Sequence, residues 1–228
     1  MIVVIGSPSV LPGDAGQRST AAGRAVEVAR GAGDAGSTVQ LVGKIGDDPA
    51  GDALILALAD AGIGHVAILR DPARATPVAA LLVDEFEPML PEDDEPGGAG
   101  LSEEAGDRQG RGPSALPAID AGDLDLALRY LPDHQVVIVA ERLDPDALAV
   151  VAADCSYVGA TLAVILDAGT GPAGLPPDAT AFEAPDADPD GVFGRTIGRF
   201  GAALEQGLGG AAALAQATAG GGWQPAAG

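Results

Sequence analysis

The sequence predicts an α/β fold in which helices cover both faces of a doubly wound, parallel, Rossmann-like sheet, giving three layers. Two observations support this fold class. Short runs of Val, Ile and Leu that end at Gly or Asp, such as Ile2–Ile5, are typical of buried parallel strands. These runs alternate with segments that carry small and apolar residues at helical spacing, as parallel sheets with right-handed crossovers require.

The first half of the chain contains most of this alternation. The predicted elements are a strand over 2–5, a helix over 21–32, a strand over 39–42, a helix over 49–61, and strands over 66–69 and 78–83. Asp48 is expected to cap the helix that starts at Pro49, because its carboxylate can accept hydrogen bonds from the free amides of the first turn. Gly62 is expected to end the same helix.

Residues 84–112 interrupt the pattern with an acidic stretch rich in Pro and Gly, which predicts a flexible surface loop. Ordered elements resume with a helix that Asp123 caps and that ends at 131, a strand over 136–139, a helix over 145–158, a strand over 161–166, and helices over 196–206 and 210–219. The tail 220–228 is expected to fray. A length of 228 residues fits one domain over 1–228.

The charge excludes whole classes of partner. Lys and Arg number 12 against 33 Asp and Glu, so the net charge is −21. Such a chain repels nucleic-acid backbones and anionic lipid, and we expect neither nucleic acid nor membrane as a partner. One Cys and two distant His do not make a zinc site, and no metal site is predicted. The absence of a signal-like start or a long apolar stretch predicts a cytoplasmic protein.

Several motifs in the first half resemble the ribokinase/PfkB carbohydrate-kinase family. Val42-Gly43, then Gly46-Asp47-Asp48, then Gly51, and a helix end over 58–63 follow that family's order and spacing. Thr76-Pro77 resembles the start of its strand near the substrate, and the last helices resemble its final helix pair. The resemblance implies a ribokinase-like αβα fold. The spans 7–20 and 168–190, where that family has its lid and part of its nucleotide-binding region, are short here, so we expect both regions to be reduced or absent.

The family's catalytic base and anion hole share one motif, D-T-x-G-A-G-D, which the resemblance places on residues 188–194. Asp188 keeps the first carboxylate, but Phe193 replaces a glycine and Gly194 stands where the base should be. Glycine has no side chain to accept a proton. Asp190 is therefore the candidate catalytic residue if the helix starts one turn earlier, and Gly191 and Gly194 are the candidates for binding a cofactor's phosphates through backbone N–H groups.

Other positions also depart from the family. The carboxylate that holds substrate hydroxyls falls near Leu11, the Gly-Gly turn is Ala22-Gly23, and the Asn of the following helix is Glu27. Every departure falls on a functional position, whereas the residues that build the fold match. That contrast favours a protein that has kept the scaffold and lost the reaction.

Three hypotheses for function follow. The first is a degenerate family member, a pseudokinase without cofactor, that binds a protein partner, a second copy of itself or a small ligand such as a sugar or nucleoside. The alternative is an active sugar or nucleoside kinase with a shortened lid, which would use ATP and Mg²⁺ with Asp190 as base. The third is a structural or oligomeric protein that shares only the architecture.

Three further residues invite specific expectations. Lys44, the single lysine, is expected to be solvated or paired with Asp47 or Asp48. Arg195 is expected to pair with Glu205 or the acidic loop. Cys155 is expected to be a buried hydrophobe without nucleophilic character.

Overall fold

The computed structural model describes residues 1–13, 17–79, 116–171 and 174–219. The strands in chain order are β1 Ile2–Ile5, β2 Ser9–Leu11, β3 Thr20–Ala22, β4 Val39–Gly46, β5 Gly64–Asp71, β6 Val136–Val139, β7 Thr161–Leu166 and β8 Thr180–Glu183. The helices are α1 Arg24–Asp34, α2 Pro49–Asp60, α3 Ala121–Arg129, α4 Pro145–Val158, α5 Val192–Glu205 and α6 Gly210–Ala219. The predicted acidic loop 84–112 and tail 220–228 lie outside the described residues.

Six strands form one parallel sheet in the order β5-β4-β1-β6-β7-β8. The chain forms β1 at the centre of the sheet, adds β4 and β5 on one side of it, and then adds β6, β7 and β8 on the other side. The order in which strands are added therefore reverses between β1 and β6. Doubly wound sheets place ligands at the carboxyl ends of the strands near such a reversal. The predicted fold class is confirmed.

Two apolar clusters hold the three layers together, one on each face of the sheet. The larger cluster joins the sheet to α1, α2, α5 and α6, and the smaller one joins it to α3 and α4. Aromatic residues make up only 3% of the chain. Phe193 and Phe200 of α5 are the largest fully buried side chains among the described residues. Aliphatic packing therefore supplies most of the apolar area removed from water.

Helices α1 and α5 touch through their backbones. A Cβ placed on Gly31 of α1 would overlap the carbonyl oxygen of Arg195, and one on Gly198 of α5 would overlap that of Val28. Only glycine permits this approach, because any larger residue would push the two helices apart. The contact matters for function, since it fixes the first turn of α5 directly over α1.

Several boundaries differ from the sequence-based prediction. The helix predicted from residue 21 begins at Arg24, because residues 20–22 form β3, which pairs with β2 in a small antiparallel sheet. The helix predicted from residue 196 begins at Val192. Asp123 is not the cap of α3; Asp120 is, and the two form a reciprocal capping box. The predicted strand 78–83 falls only partly within the described residues, which end at 79 in this part of the chain. There, Val78 forms a β-bridge with Val10.

Candidate functional site

A cleft of about 440 Å³ opens at the carboxyl edge of the sheet, on the α1–α5 side. Its walls come from β2, β3, the first turns of α1 and the segment 188–191 that leads into α5. The cleft therefore brings together the substrate-side turn and the catalytic segment that the family resemblance predicts. Of the predicted site residues, Asp190 and Gly191 line it.

The substrate-side wall turns sharply at Gly23, the N-cap residue of α1, which has φ of +105°. Side chains with a Cβ rarely adopt this conformation, so glycine is required here. The next residue, Arg24, contacts two places at the sheet edge. Its guanidinium donates to the Ala140 carbonyl oxygen at 3.4 Å and lies 3.6 Å from the Asp167 carboxylate. Arg24 thus ties α1 to the ends of β6 and β7.

The wall opposite in sequence, formed by residues 188–191, leads into the N-terminus of α5. Gly191, with φ of +65°, is the N-cap residue and makes no side-chain cap. Asp188 supplies the cap from three residues upstream. Its Oδ1 accepts a hydrogen bond from the Phe193 N–H at 3.1 Å, and its Oδ2 accepts one from the Gly194 N–H at 3.0 Å. Two of the first-turn amides that an anion could bind at this helix end therefore already bind the chain's own carboxylate.

Glu27 fills the space beside these amides. Its carboxylate forms ion pairs with Arg30, at 2.5 Å, and with Arg195 of α5. A Cβ on Gly191 would lie 2.6 Å from Glu27 Cγ, and one on Gly194 would lie 2.8 Å from Glu27 Cβ. Both distances are shorter than a carbon–carbon contact allows. The expected pairing of Arg195 with Glu205 is wrong, because Arg195 pairs with Glu27 and Glu205 pairs with the N-terminal amino group. The acidic loop, the other expected partner, lies outside the described residues.

The predicted site residues differ in their exposure. Asp190 is exposed on the wall of the cleft, and its backbone carbonyl accepts a hydrogen bond from Arg195. Gly191 and Gly194 are buried against Glu27. Asp190 lies before the N-cap residue, outside α5, whereas Gly194 occupies the first turn. The sequence did not indicate the role of Glu27, since its partner Arg195 is 168 residues away.

A second polar contact lies where the order of strands reverses. The Ser7 hydroxyl, two residues after β1, donates to Glu141 Oε1 at 2.6 Å, and Glu141 stands two residues after β6. Sequence reasoning missed this pair. The signal was present in part, because polar residues directly after buried strands meet at the carboxyl edge of a parallel sheet.

The arrangement does not fit a bound nucleotide at α5, since the Phe193 and Gly194 amides are occupied and Glu27 lies against the first turn. Within the described residues, no group of three or more His, Cys, Asp or Glu side chains could hold a metal ion. In the same ranges, no helix is long and apolar enough to cross a membrane.

The remaining expectations concern residues away from the cleft. Lys44 does not pair with Asp47 or Asp48; its ammonium lies 2.7 Å from Asp123 Oδ2, and this hydrogen bond raises the pKa of Lys44. The two residues meet although 79 positions separate them in the sequence. Burial raises the pKa of the Cys155 thiol to about 12, which agrees with its expected role as an inert core residue.

Together, the sheet order and the flanking helices define a doubly wound α/β protein with three layers. Residues 10–89 match the family model described as pfkB family carbohydrate kinase, so the resemblance predicted from the motifs is confirmed for that part of the chain. No curated protein sequence matches the chain significantly.

Solved structures extend the likeness in fold to nearly the whole chain. A PfkB protein from Polaromonas sp. JS666 is 15% identical, with a TM-score of 0.56 over 95% of this chain and 92% of its own. A candidate phosphofructokinase from Staphylococcus aureus is 15% identical, with a TM-score of 0.56 over 96% and 90%. A candidate ribokinase II from E. coli, crystallised with ATP and Mg²⁺, is 14% identical, with a TM-score of 0.56 over 96% and 90%. At these identities the likeness concerns the fold.

Proposed function

We propose that this chain is a ribokinase-fold binding protein that does not transfer phosphate and that binds a small hydroxyl-rich molecule, such as a sugar or nucleoside, in the cleft. The observation that carries the proposal is the pair of hydrogen bonds from the Phe193 and Gly194 amides to Asp188. With these bonds in place, an anion that approaches the end of α5 meets the Asp188 carboxylate on the Phe193 and Gly194 amides.

Loss of transfer follows from what the reaction needs. A positioned base must take a proton from the substrate hydroxyl, and preorganised donors must stabilise the charge that develops on the phosphoryl group. Gly194 provides no base. The donors are satisfied by Asp188, and the neighbouring volume is filled by Glu27. In a molecule of net charge −21, an added phosphate would also meet a repulsive field.

Binding remains chemically reasonable because the cleft is open and charged side chains lie on its walls. Arg24 and Arg30 lie on the α1 wall, where Arg30 also donates to Glu27 and to the Ala21 carbonyl oxygen, and the exposed carboxylate of Asp190 provides acceptors. Hydroxyl groups can donate and accept at once, so they can bridge such mixed walls. Leu11 contributes no carboxylate. Hydroxyl recognition therefore depends on the arginines and Asp190.

One observation favours the active kinase as a second candidate. Asp190 is exposed in the cleft, where it could take a proton from a bound hydroxyl. That activity would require ATP and Mg²⁺, and it would require Asp188 to leave the α5 amides.

The test is ADP formation from ATP and Mg²⁺ in the presence of a panel of sugars and nucleosides, together with thermal shifts for the same panel without nucleotide. We expect no ADP above background for the wild type or for Asp190→Asn. We expect at least one panel member to raise the melting temperature, and we expect this shift to fall in Asp190→Asn but not in Asp186→Asn, an exposed control outside the cleft. ADP formation that Asp190→Asn abolishes would establish the kinase instead. A panel without any thermal shift would contradict the binding function.

A further inference from the structure

A separate cavity lies on the opposite face of the sheet from the cleft, between the ends of β6 and β7 and the start of α4. Its volume is about 250 Å³. We call it the α4 pocket, and its apolar walls are formed by Val139, Leu143, Leu148, Val164, Leu166 and Leu175. These residues belong to or pack against the smaller apolar cluster. The pocket shares no wall residue with the cleft.

Carboxylates exceed cations at the rim of the α4 pocket. Glu141 and Asp167 follow the ends of β6 and β7, and Arg142 provides the only basic side chain among the described residues of the lining. Glu141 uses Oε1 to accept from Ser7. Asp167 is 53% exposed and lies 3.6 Å from Arg24. The lining therefore holds two carboxylates and one guanidinium, and Glu141 is the carboxylate that makes no ion pair with another described residue, within a molecule of net charge −21.

We propose that the α4 pocket binds a small primary amine that carries one apolar ring or a branched aliphatic group of similar size. The walls exclude water from the apolar body, and the rim carboxylates accept hydrogen bonds from the ammonium group. The volume of about 250 Å³ lies just below the roughly 300 Å³ at which pockets for drug-sized ligands begin, which suits a ligand with one ring. The proposal does not rest on the proposed function of the cleft, although Arg24 of the cleft wall pairs with Asp167 at the rim of the pocket.

The charge at the rim makes the choice of ligand specific. A carboxylate of the same shape would bring a negative charge to Glu141 and Asp167, and juxtaposed like charges disfavour binding. A neutral alcohol would keep a donor without the ionic attraction. Three nearly isosteric probes thus separate apolar burial from electrostatic recognition: 2-phenylethylamine, 2-phenylethanol and phenylacetate.

The experiment measures the affinity of the full chain for each probe by titration calorimetry or ligand-observed NMR. We expect the amine to bind at least tenfold more tightly than phenylacetate, with the alcohol between them. Glu141→Gln keeps an acceptor for Ser7 but removes the charge. It should therefore lower the affinity for the amine about threefold to tenfold and leave the affinity for the alcohol unchanged.

Variants that fill the α4 pocket with a larger side chain test whether the probes bind there. Leu175→Trp, in the loop before β8, and Leu148→Phe, on α4, should each abolish binding of the amine and the alcohol. Leu126→Phe, on the exposed side of α3, is the matched control and should bind like the wild type. The proposal is overturned if no probe binds, if phenylacetate binds most tightly, or if both folded filling variants bind normally. None of these results depends on a ligand in the cleft.

Discussion

Asp188 Oδ2 accepts a hydrogen bond of 3.0 Å from the Gly194 N–H, six residues further along the chain, while Oδ1 accepts one from Phe193. The carboxylate thus caps the first turn of α5 from outside the helix. It compensates for Gly191, which has no side chain to act as cap. The same two bonds occupy the position at which a helix N-terminus would hold a phosphate.

Replacing Asp188 should therefore lower stability. Asp188→Ala removes the hydrogen bonds that the Phe193 and Gly194 N–H groups donate to the carboxylate, and loss of a helix cap costs about 1–2 kcal/mol. Urea unfolding monitored by circular dichroism measures this change. Asp188→Asn, which keeps one acceptor oxygen, should fall between the wild type and the alanine variant. An alanine variant as stable as the wild type would show that the cap contributes nothing.

The contact between α1 and α5 predicts opposite effects for two neighbouring glycines. Gly31→Ala should destabilise the protein by about 1–3 kcal/mol or more, because its Cβ would overlap the backbone of α5 at Arg195. Gly33→Ala, two residues later in the same helix, meets nothing within 4 Å and should stabilise by about 0.5–1 kcal/mol. Thermal unfolding of both variants provides the measurement. Equal effects at the two positions would contradict the backbone contact.

The carboxylate of Asp48 predicts a specific response to acid. Partial burial alone would raise the pKa of Asp48, but hydrogen bonds from Thr76 and Gly51 outweigh it and hold the pKa below the ordinary value of 3.8. A lowered folded-state pKa means that ionised Asp48 stabilises the protein above the unfolded pKa, and that this stabilisation is lost as pH falls through the folded pKa.

The measurement is the difference in unfolding free energy between the wild type and Asp48→Asn across pH. The difference should be constant at neutral pH, with the wild type more stable, and should shrink below about pH 4. Other carboxylates titrate in both proteins and cancel in the difference. A difference that grows on acidification would have the wrong sign for a lowered pKa.

The net charge of −21 predicts that salt stabilises the fold. Self-repulsion among the carboxylates opposes the compact state, and salt shortens the screening length from about 10 Å at 0.1 M to about 3 Å at 1 M. Raising KCl over this range should raise the melting temperature. A variant with Asp34, Asp133, Asp178 and Asp186 changed to Asn, all exposed, should melt higher at low salt and gain less from KCl. A wild-type melting temperature that falls with KCl would contradict the prediction.

The sequence predicted the elements whose signals are local. The Asp48 cap with Pro49 marked the start of α2, and the run Val136–Val139 marked a buried strand. The three-residue strands β2 and β3 and the outermost strand β8 were missed. Such short segments carry no periodicity, and their strand conformation comes from pairing with distant residues.

The candidate site was predictable only in part, for a similar reason. The motif register placed Asp190 and Gly191 at the cleft and Gly194 at the position of the base. It did not reveal that Glu27 fills the adjoining space, because that depends on the backbone contact of α1 with α5 and on an ion pair to Arg195. The fold brings these two charged residues together, and a local sequence pattern does not reveal such a pair.

Binding of ATP in the presence of Mg²⁺, measured by calorimetry on the wild type, shows whether the end of α5 is closed to a nucleotide. If Asp188 and Glu27 close the end of α5, millimolar nucleotide should produce no binding heat and no rise in melting temperature. A ligand present at 100 times its Kd would stabilise the fold by about 2.7 kcal/mol, so binding would be readily seen. A saturable isotherm with a submillimolar Kd would show that the carboxylate leaves the amides, and the account of a closed site would be wrong.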